Sequence, residues 1–149
     1  MDGSDSRLAF ASRQSEIEHG VDARQDVLEQ LKAVVPDGLP TVVFDATGNA
    51  ASMMKSFSTV AHGGRLVFVG LFQGDVTFHD PEFHRRELTV LASHNATAQD
   101  FKLVISALET HKINVKPWIT HSPSPEQMIR DFPAWLDPAN GVVKAMFSF

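Results

Sequence analysis

Three short segments carry residue types from which a ligand site could be built: Asp45-Ala46-Thr47-Gly48, Val69-Gly70-Leu71 and Ala92-Ser93-His94-Asn95. The carboxylate of Asp45 and the hydroxyl of Thr47 can hydrogen-bond a ribose, and Gly48 and Gly70 let a flat ring or a sugar come close to the main chain. Taken singly, each segment is also what an ordinary strand-to-helix turn requires. Other chemistries lack their residues. The chain has no cysteine, so thiolate metal sites, thiol redox chemistry and disulfides are excluded. Its seven histidines include no i, i+4 pair with a nearby carboxylate on a plausible helix, and His79 and His84 are separated by Pro81. The stretch from His79 to His84 therefore reads as an exposed connection. The hydroxyls of Ser56, Ser58, Thr59, Ser122 and Ser124 have no partner base identifiable in the sequence, so nucleophilic catalysis has no support.

The three segments gain meaning from the elements that must position them. Val27, Leu28, Leu31, Val34 and Val35 form an apolar stripe at helical spacing over Arg24 to Val35, stopped by Pro36-Asp37-Gly38. Thr41-Val42-Val43-Phe44 then reads as a strand buried on both faces. Asn49 caps a helix presenting Met53, Met54, Phe57 and Val60, and His62-Gly63-Gly64 closes it. Arg65 to Gly70 is a second buried strand and Leu88 to Ala92 a third, followed by a helix with Phe101, Val104, Ile105 and Leu108 on one face. Strands alternating with helices imply parallel βαβ units. In such a sheet ligands bind beyond the carboxyl ends of the strands, which is where all three segments fall.

Beyond Lys112 five prolines break the chain into short pieces, so the sequence divides into 1–112 and an appended 113–149. Ser124 caps a short helix carrying Met128, Ile129, Phe132 and Leu136. Val142 to Phe147 reads as a closing strand after the Asn140-Gly141 turn.

Composition narrows the function. The 149 residues hold 13 Lys+Arg against 18 Asp+Glu, a formal net charge of −5. No basic patch could neutralise a phosphate backbone, which excludes nucleic acid as a partner. No apolar run approaches the roughly 20 residues that span a bilayer, and Met1-Asp2-Gly3-Ser4-Asp5 does not resemble a basic signal peptide. The expectation is a soluble, cytoplasmic chain without a membrane partner.

In order and at matching spacing, the segments Val42 to Gly48, Gly63 to Gly70, Arg86 to Ser93 and Gly141 to Met146 resemble the nucleotide-binding domain of the medium-chain dehydrogenase/reductase family, the zinc-type alcohol and polyol dehydrogenases. The resemblance covers nearly the whole chain. It implies an α/β fold, a partial Rossmann domain of parallel sheet with flanking helices, followed by a short α+β tail that in the family packs back onto the catalytic domain. Arg7-Leu8-Ala9-Phe10-Ala11 opens the helix after the second strand of that domain, and Asp2 falls at the acid that holds the adenosine ribose. A carboxylate there repels a 2′-phosphate and favours NAD over NADP. By the same resemblance Val69 and Gly70 border the nicotinamide and its ribose, the backbone of Ala92, Ser93 and His94 meets the carboxamide, and Lys144 points at the pyrophosphate. His94 is the histidine at the cofactor edge.

The sequence also departs from the family pattern. It holds no GxGxxG turn, and Gly63-Gly64 precedes a strand rather than following one. The zinc ligands belong to a catalytic domain that is not in this sequence, and the first βα unit, whose strand is central in the order 3-2-1-4-5-6, is missing as well. The resemblance thus implies the cofactor part of an NAD-dependent dehydrogenase, moving hydride between an alcohol and nicotinamide, inactive by itself and with weak or no NAD binding. Two other readings stay open: a non-catalytic nucleotide-binding or interaction module, and a piece of a zinc-independent quinone reductase that uses NADPH. A homo-oligomer is expected, with Val76-Thr77-Phe78 as a short strand near the pairing edge.

Overall fold

The computed structural model describes residues 1–14, 17–36 and 38–147. In chain order the elements are α1 (Asp5–Ala11), α2 (Val27–Val34), β1 (Val42–Asp45), α3 (Ala50–Ser56), β2 (Arg65–Phe68), α4 (Asp80–Arg85), β3 (Thr89–Ala92), α5 (Ala98–Glu109) and α6 (Pro125–Trp135), with 3-10 turns at Phe57–Thr59, Lys116–Trp118 and Pro138–Asn140. They fall into two compact units, one of Met1–Ser4 with Glu18–Asn95 and the other of Asp5–Ile17 with Ala96–Phe149.

The first unit is a three-stranded parallel sheet in the order β1-β2-β3. This is the α/β, Rossmann-type arrangement the alternating pattern predicts, with α2, α3 and α4 connecting and flanking the strands. Local chemistry sets the helix starts. Asp26 accepts from Leu28 N and Glu29 N at 3.0 and 3.1 Å and caps α2, and Asn49 accepts from Ser52 N at 3.1 Å and caps α3, each satisfying donors that have no partner inside the first helical turn. Of the Pro36-Asp37-Gly38 stop, Asp37 lies outside the described residues; Gly38 takes φ +91° and donates its N–H to Val35 O at 2.9 Å.

Val60 and Leu66 are fully buried and Leu88 nearly so, and Val43, Phe57, Phe68 and Phe83 pack against them. Phe57 stacks on Phe78 with ring centroids 4.7 Å apart, and Phe78 lies 5.0 Å from Phe83. Arg86 ties the end of α4 to this core by donating from Nη1 to Ser58 O at 3.2 Å and Val60 O at 2.9 Å.

The strands are not buried on both faces as their continuous apolar runs suggest. Successive strand residues point to opposite faces, and the core lies on the face of Val43, Leu66 and Phe68, whereas Val42 is 42% and Phe44 68% exposed. All four residues of β3 are exposed. Val76-Thr77-Phe78 pairs with no strand of the chain itself, and Phe78 packs against Phe57 and Phe83. His79 to His84 is not a plain connection: Asp80–Arg85 is helical, with Pro81 in its first turn, where a missing N–H costs nothing.

The second unit contains α1, α5 and α6. Thr97 and Asp100 form a reciprocal capping box on α5, and Ser124 and Gln127 do the same on α6. Phe10 of α1 meets Trp118 edge-on at 5.3 Å. Neither α5 nor α6 buries a residue, and Phe101, Val104 and Ile105 are each more than half exposed. The closing strand predicted at Val142–Phe147 reduces to one parallel bridge, His121 with Ala145. Thr120 Oγ1 accepts from Val143 N at 3.0 Å, so a side chain takes a main-chain donor that a ladder would need.

Candidate functional site

The parallel register sets Val42, Arg65 and Thr89 in one row and Asp45, Phe68 and Ala92 in another. The three strands therefore end level, and the segments that follow them, Ala46–Gly48, Val69–Leu71 and Ser93–Asn95, leave from the same end of the sheet. Ala92, Ser93, His94, Val69 and Leu71 are exposed. Strand β2 is shorter than its sequence run and stops at Phe68: Val69 N still donates to Asp45 O in the ladder's register at 2.8 Å, but Gly70 N turns onto the same oxygen at 3.0 Å.

Asp45 is only 5% exposed, and its carboxylate is turned inward rather than toward a ribose. Oδ1 accepts from Thr47 N at 2.9 Å and from Thr47 Oγ1 at 2.6 Å, while Oδ2 accepts from Ser52 Oγ at 2.8 Å. Thr47 Oγ1 in turn accepts from Asn49 N at 3.1 Å. Charge-assisted bonds of this kind are short and roughly twice as strong as neutral ones. The sequence reading did not place Ser52 beside Asp45, or Asn49 beside Thr47. The signal was available, since Asp-x-Thr after a strand is the pattern of a side chain accepting the N–H two residues on.

The two glycines serve each other before they serve a ligand. Gly48 has φ +59°, and a Cβ there would lie 2.8 Å from Leu71 O. A Cβ on Gly70 would run into Gly48 N and come within 2.9 Å of the Ala46 carbonyl carbon. The 46–48 and 69–71 loops thus meet backbone to backbone.

Asp2 is joined to the 21–23 segment: Asp2 N donates to Val21 O at 3.1 Å and Ala23 N donates to Asp2 O at 2.9 Å. Its carboxylate accepts from Ser4 N at 2.9 Å. Asp2 forms an isolated parallel bridge with Asp22. Asp22, which the sequence reading passed over, accepts from Arg24 N and Nε at Oδ1 and from Arg24 Nη2 at Oδ2, all at 2.9 Å. These bonds lower its pKa from 3.8 to about 2. A depressed carboxylate stabilises the fold above its unfolded pKa and loses that contribution as the pH falls through the folded value. A carboxyl-carbon NMR titration is expected to place the Asp22 midpoint near 2, and a midpoint near 4, the ordinary carboxylate range, would show the Arg24 fork to be absent in solution.

Lys144 lies in the second unit, exposed, with its carbonyl accepting from Thr120 N at 2.9 Å. Of the residues singled out in the sequence, the sheet end collects Asp45, Ala46, Thr47, Gly48, Val69, Gly70, Ala92, Ser93 and His94. No helix among the described residues is long and apolar enough to cross a membrane.

Comparison with known proteins matches this arrangement to one family. The model of the zinc-binding dehydrogenases covers residues 1–110. L-Galactonate-5-dehydrogenase of Escherichia coli is 42% identical over 97 residues, 65% of this chain and 28% of that protein. L-Arabinitol 4-dehydrogenase of Aureobasidium melanogenum is 25% identical over 143 residues, 93% of this chain and 39% of that one. The chain therefore spans between about a quarter and two fifths of these relatives. Among solved structures, an Escherichia coli oxidoreductase of unknown specificity superposes with a TM-score of 0.85 at 20% identity, over 99% of this chain and 43% of that one. An Escherichia coli alcohol dehydrogenase complexed with NADH gives 0.75 at 22% identity, over 91% and 39%. The matched family model and the level parallel strand ends agree, and the chain belongs to the zinc-binding dehydrogenase family.

Proposed function

We propose that the chain supplies the dinucleotide-binding part of an NAD-dependent, zinc-type alcohol or polyol dehydrogenase. The observation that carries this reading is the register that levels Asp45, Phe68 and Ala92 and so gathers three loops at one sheet end, in a chain of this family. The residues present fit a dinucleotide. Exposed Val69 and Leu71, on either side of a glycine that tolerates no side chain, offer a flat apolar wall for a ring, and the 93–95 backbone stands at the neighbouring strand end. Asp2 supplies the carboxylate that accepts ribose hydroxyls and repels a 2′-phosphate. When bound, nicotinamide supplies the carbon that gives or takes hydride; the chain's own residues bind and orient it. Zinc is a different matter. Among the described residues no group of three or more His, Asp or Glu side chains could hold a metal ion, so no step through zinc is assigned to these residues.

Titration of the purified chain with NADH, followed by cofactor fluorescence, is expected to show weak but saturable binding, with NADPH binding about tenfold more weakly still, the size of one screened charge repulsion. Asp2→Asn keeps a hydrogen-bonding side chain without the charge and is expected to bring the two affinities together. Binding of neither cofactor, or a preference for NADPH by the unaltered chain, would overturn the reading.

A further inference from the structure

Asp45 holds both loops of the sheet end by two different groups. Its main-chain oxygen accepts from Val69 N and Gly70 N, while its carboxylate holds Thr47 and Ser52. Thr47 passes the constraint to Asn49 N, and Asn49 closes the ring by capping α3 at Ser52 N. Residues 45–52 are thereby joined into one turn around the buried side chain of Asp45. The next link is steric: Gly48, at φ +59°, sits with its Cα side facing Leu71 O, and Gly70 is in backbone contact with Gly48. Such close-packed main chains leave no slack, so a displacement of one loop is passed to the other.

We propose that Asp45 is a positioning residue whose carboxylate, through Thr47 and Ser52, fixes the 46–49 loop and thereby sets the shape of the Val69–Leu71 wall. The functional consequence rests on the reading that this wall meets the nicotinamide half of the dinucleotide. Asp45 itself touches no ligand: it is buried beneath the loop it holds. Affinity for NADH then depends on a side chain that contributes no contact to it, because a site must hold its groups within about half an ångström of the productive geometry.

The test uses the whole chain in four forms. Asp45→Ala removes the anchor, Ser52→Ala removes one of its three donors, Asp45→Asn keeps an acceptor for Thr47 and can donate to a reoriented Ser52 hydroxyl, and Arg86→Lys weakens the fold at a place remote from this ring. Amide NMR signals of Val69, Gly70 and Leu71 are followed without ligand, and NADH is titrated in parallel. The expected result is that Asp45→Ala and Ser52→Ala shift the 69–71 amides, that Asp45→Asn largely restores them, and that Arg86→Lys leaves them in place. NADH affinity is expected to fall about tenfold for Asp45→Ala and to return with asparagine. Unmoved 69–71 amides in folded Asp45→Ala overturn the proposal, as do unmoved amides in Ser52→Ala should the alanine at position 45 prevent folding. Failure of the unaltered chain to bind NADH would instead defeat the functional reading, with the amide shifts still deciding whether Asp45 positions the loop.

Discussion

Leu66→Ala is expected to destabilise the first unit by about 3–5 kcal/mol. Leu66 is fully buried at the middle of β2 and lies at the centre of the cluster formed with Val60 and Leu88. Truncation loses the transfer free energy of the side chain and leaves a cavity, because the surrounding Phe57, Phe68 and Phe83 rings are fixed by one another and cannot collapse into it. Natural domains are stable by only about 5–15 kcal/mol, and few residues of this unit are fully buried. The change is therefore expected to lower the urea midpoint severely or abolish the cooperative transition. Phe44→Ala is the matched comparison. It removes a larger side chain from the opposite face of the same sheet, but Phe44 is 68% exposed, so its cost is expected to stay near 0.5 kcal/mol, roughly that of a surface change. Equal losses from the two substitutions would show that the sheet is covered on both faces in solution.

Gly70→Ala is expected to cost about 3 kcal/mol, the upper part of the range for overpacking. The added carbon would meet only main-chain atoms, Gly48 N first and then the Ala46 carbonyl carbon at 2.9 Å and Gly48 Cα at 3.0 Å. A flexible side chain could turn away from such an intrusion, but a backbone already held by Asp45 and Thr47 cannot yield without breaking those bonds. Gly3→Ala provides the contrast, since its Cβ would come no closer than 3.8 Å to Arg24 Cγ, and it is expected to be nearly neutral. Denaturant unfolding of the two variants measures the difference. NADH binding by Gly70→Ala is expected to be lost with the loop geometry, whereas Gly3→Ala retains it.

Much of the architecture was legible because it follows from short-range rules. The strand at Val42–Phe44 was readable from β-branched and aromatic residues in sequence, α3 from the asparagine before it, and α6 from Ser124 as its cap. Family membership was legible as well, from four motifs in order. The errors share one origin: they concern what a residue faces. A continuous apolar run reads as buried on both sides, yet Val42 and Phe44 are exposed. The tail residues Val142–Phe147 have strand composition, but Thr120, more than twenty positions away, takes the donors that a strand would have used.

The same division runs through the site. By itself the sequence determined which residues stand at the strand ends, since a parallel sheet places them there whatever their partners, and it determined the family. Only the tertiary structure decided what those residues do to one another. The inward turn of the Asp45 carboxylate depends on Ser52 Oγ arriving on the following helix, and the need for glycine at positions 48 and 70 arises from two loops, twenty-two residues apart, meeting main chain to main chain. Contacts of that kind are fixed by the packing of the sheet and α3, and no local pattern of residue types encodes them.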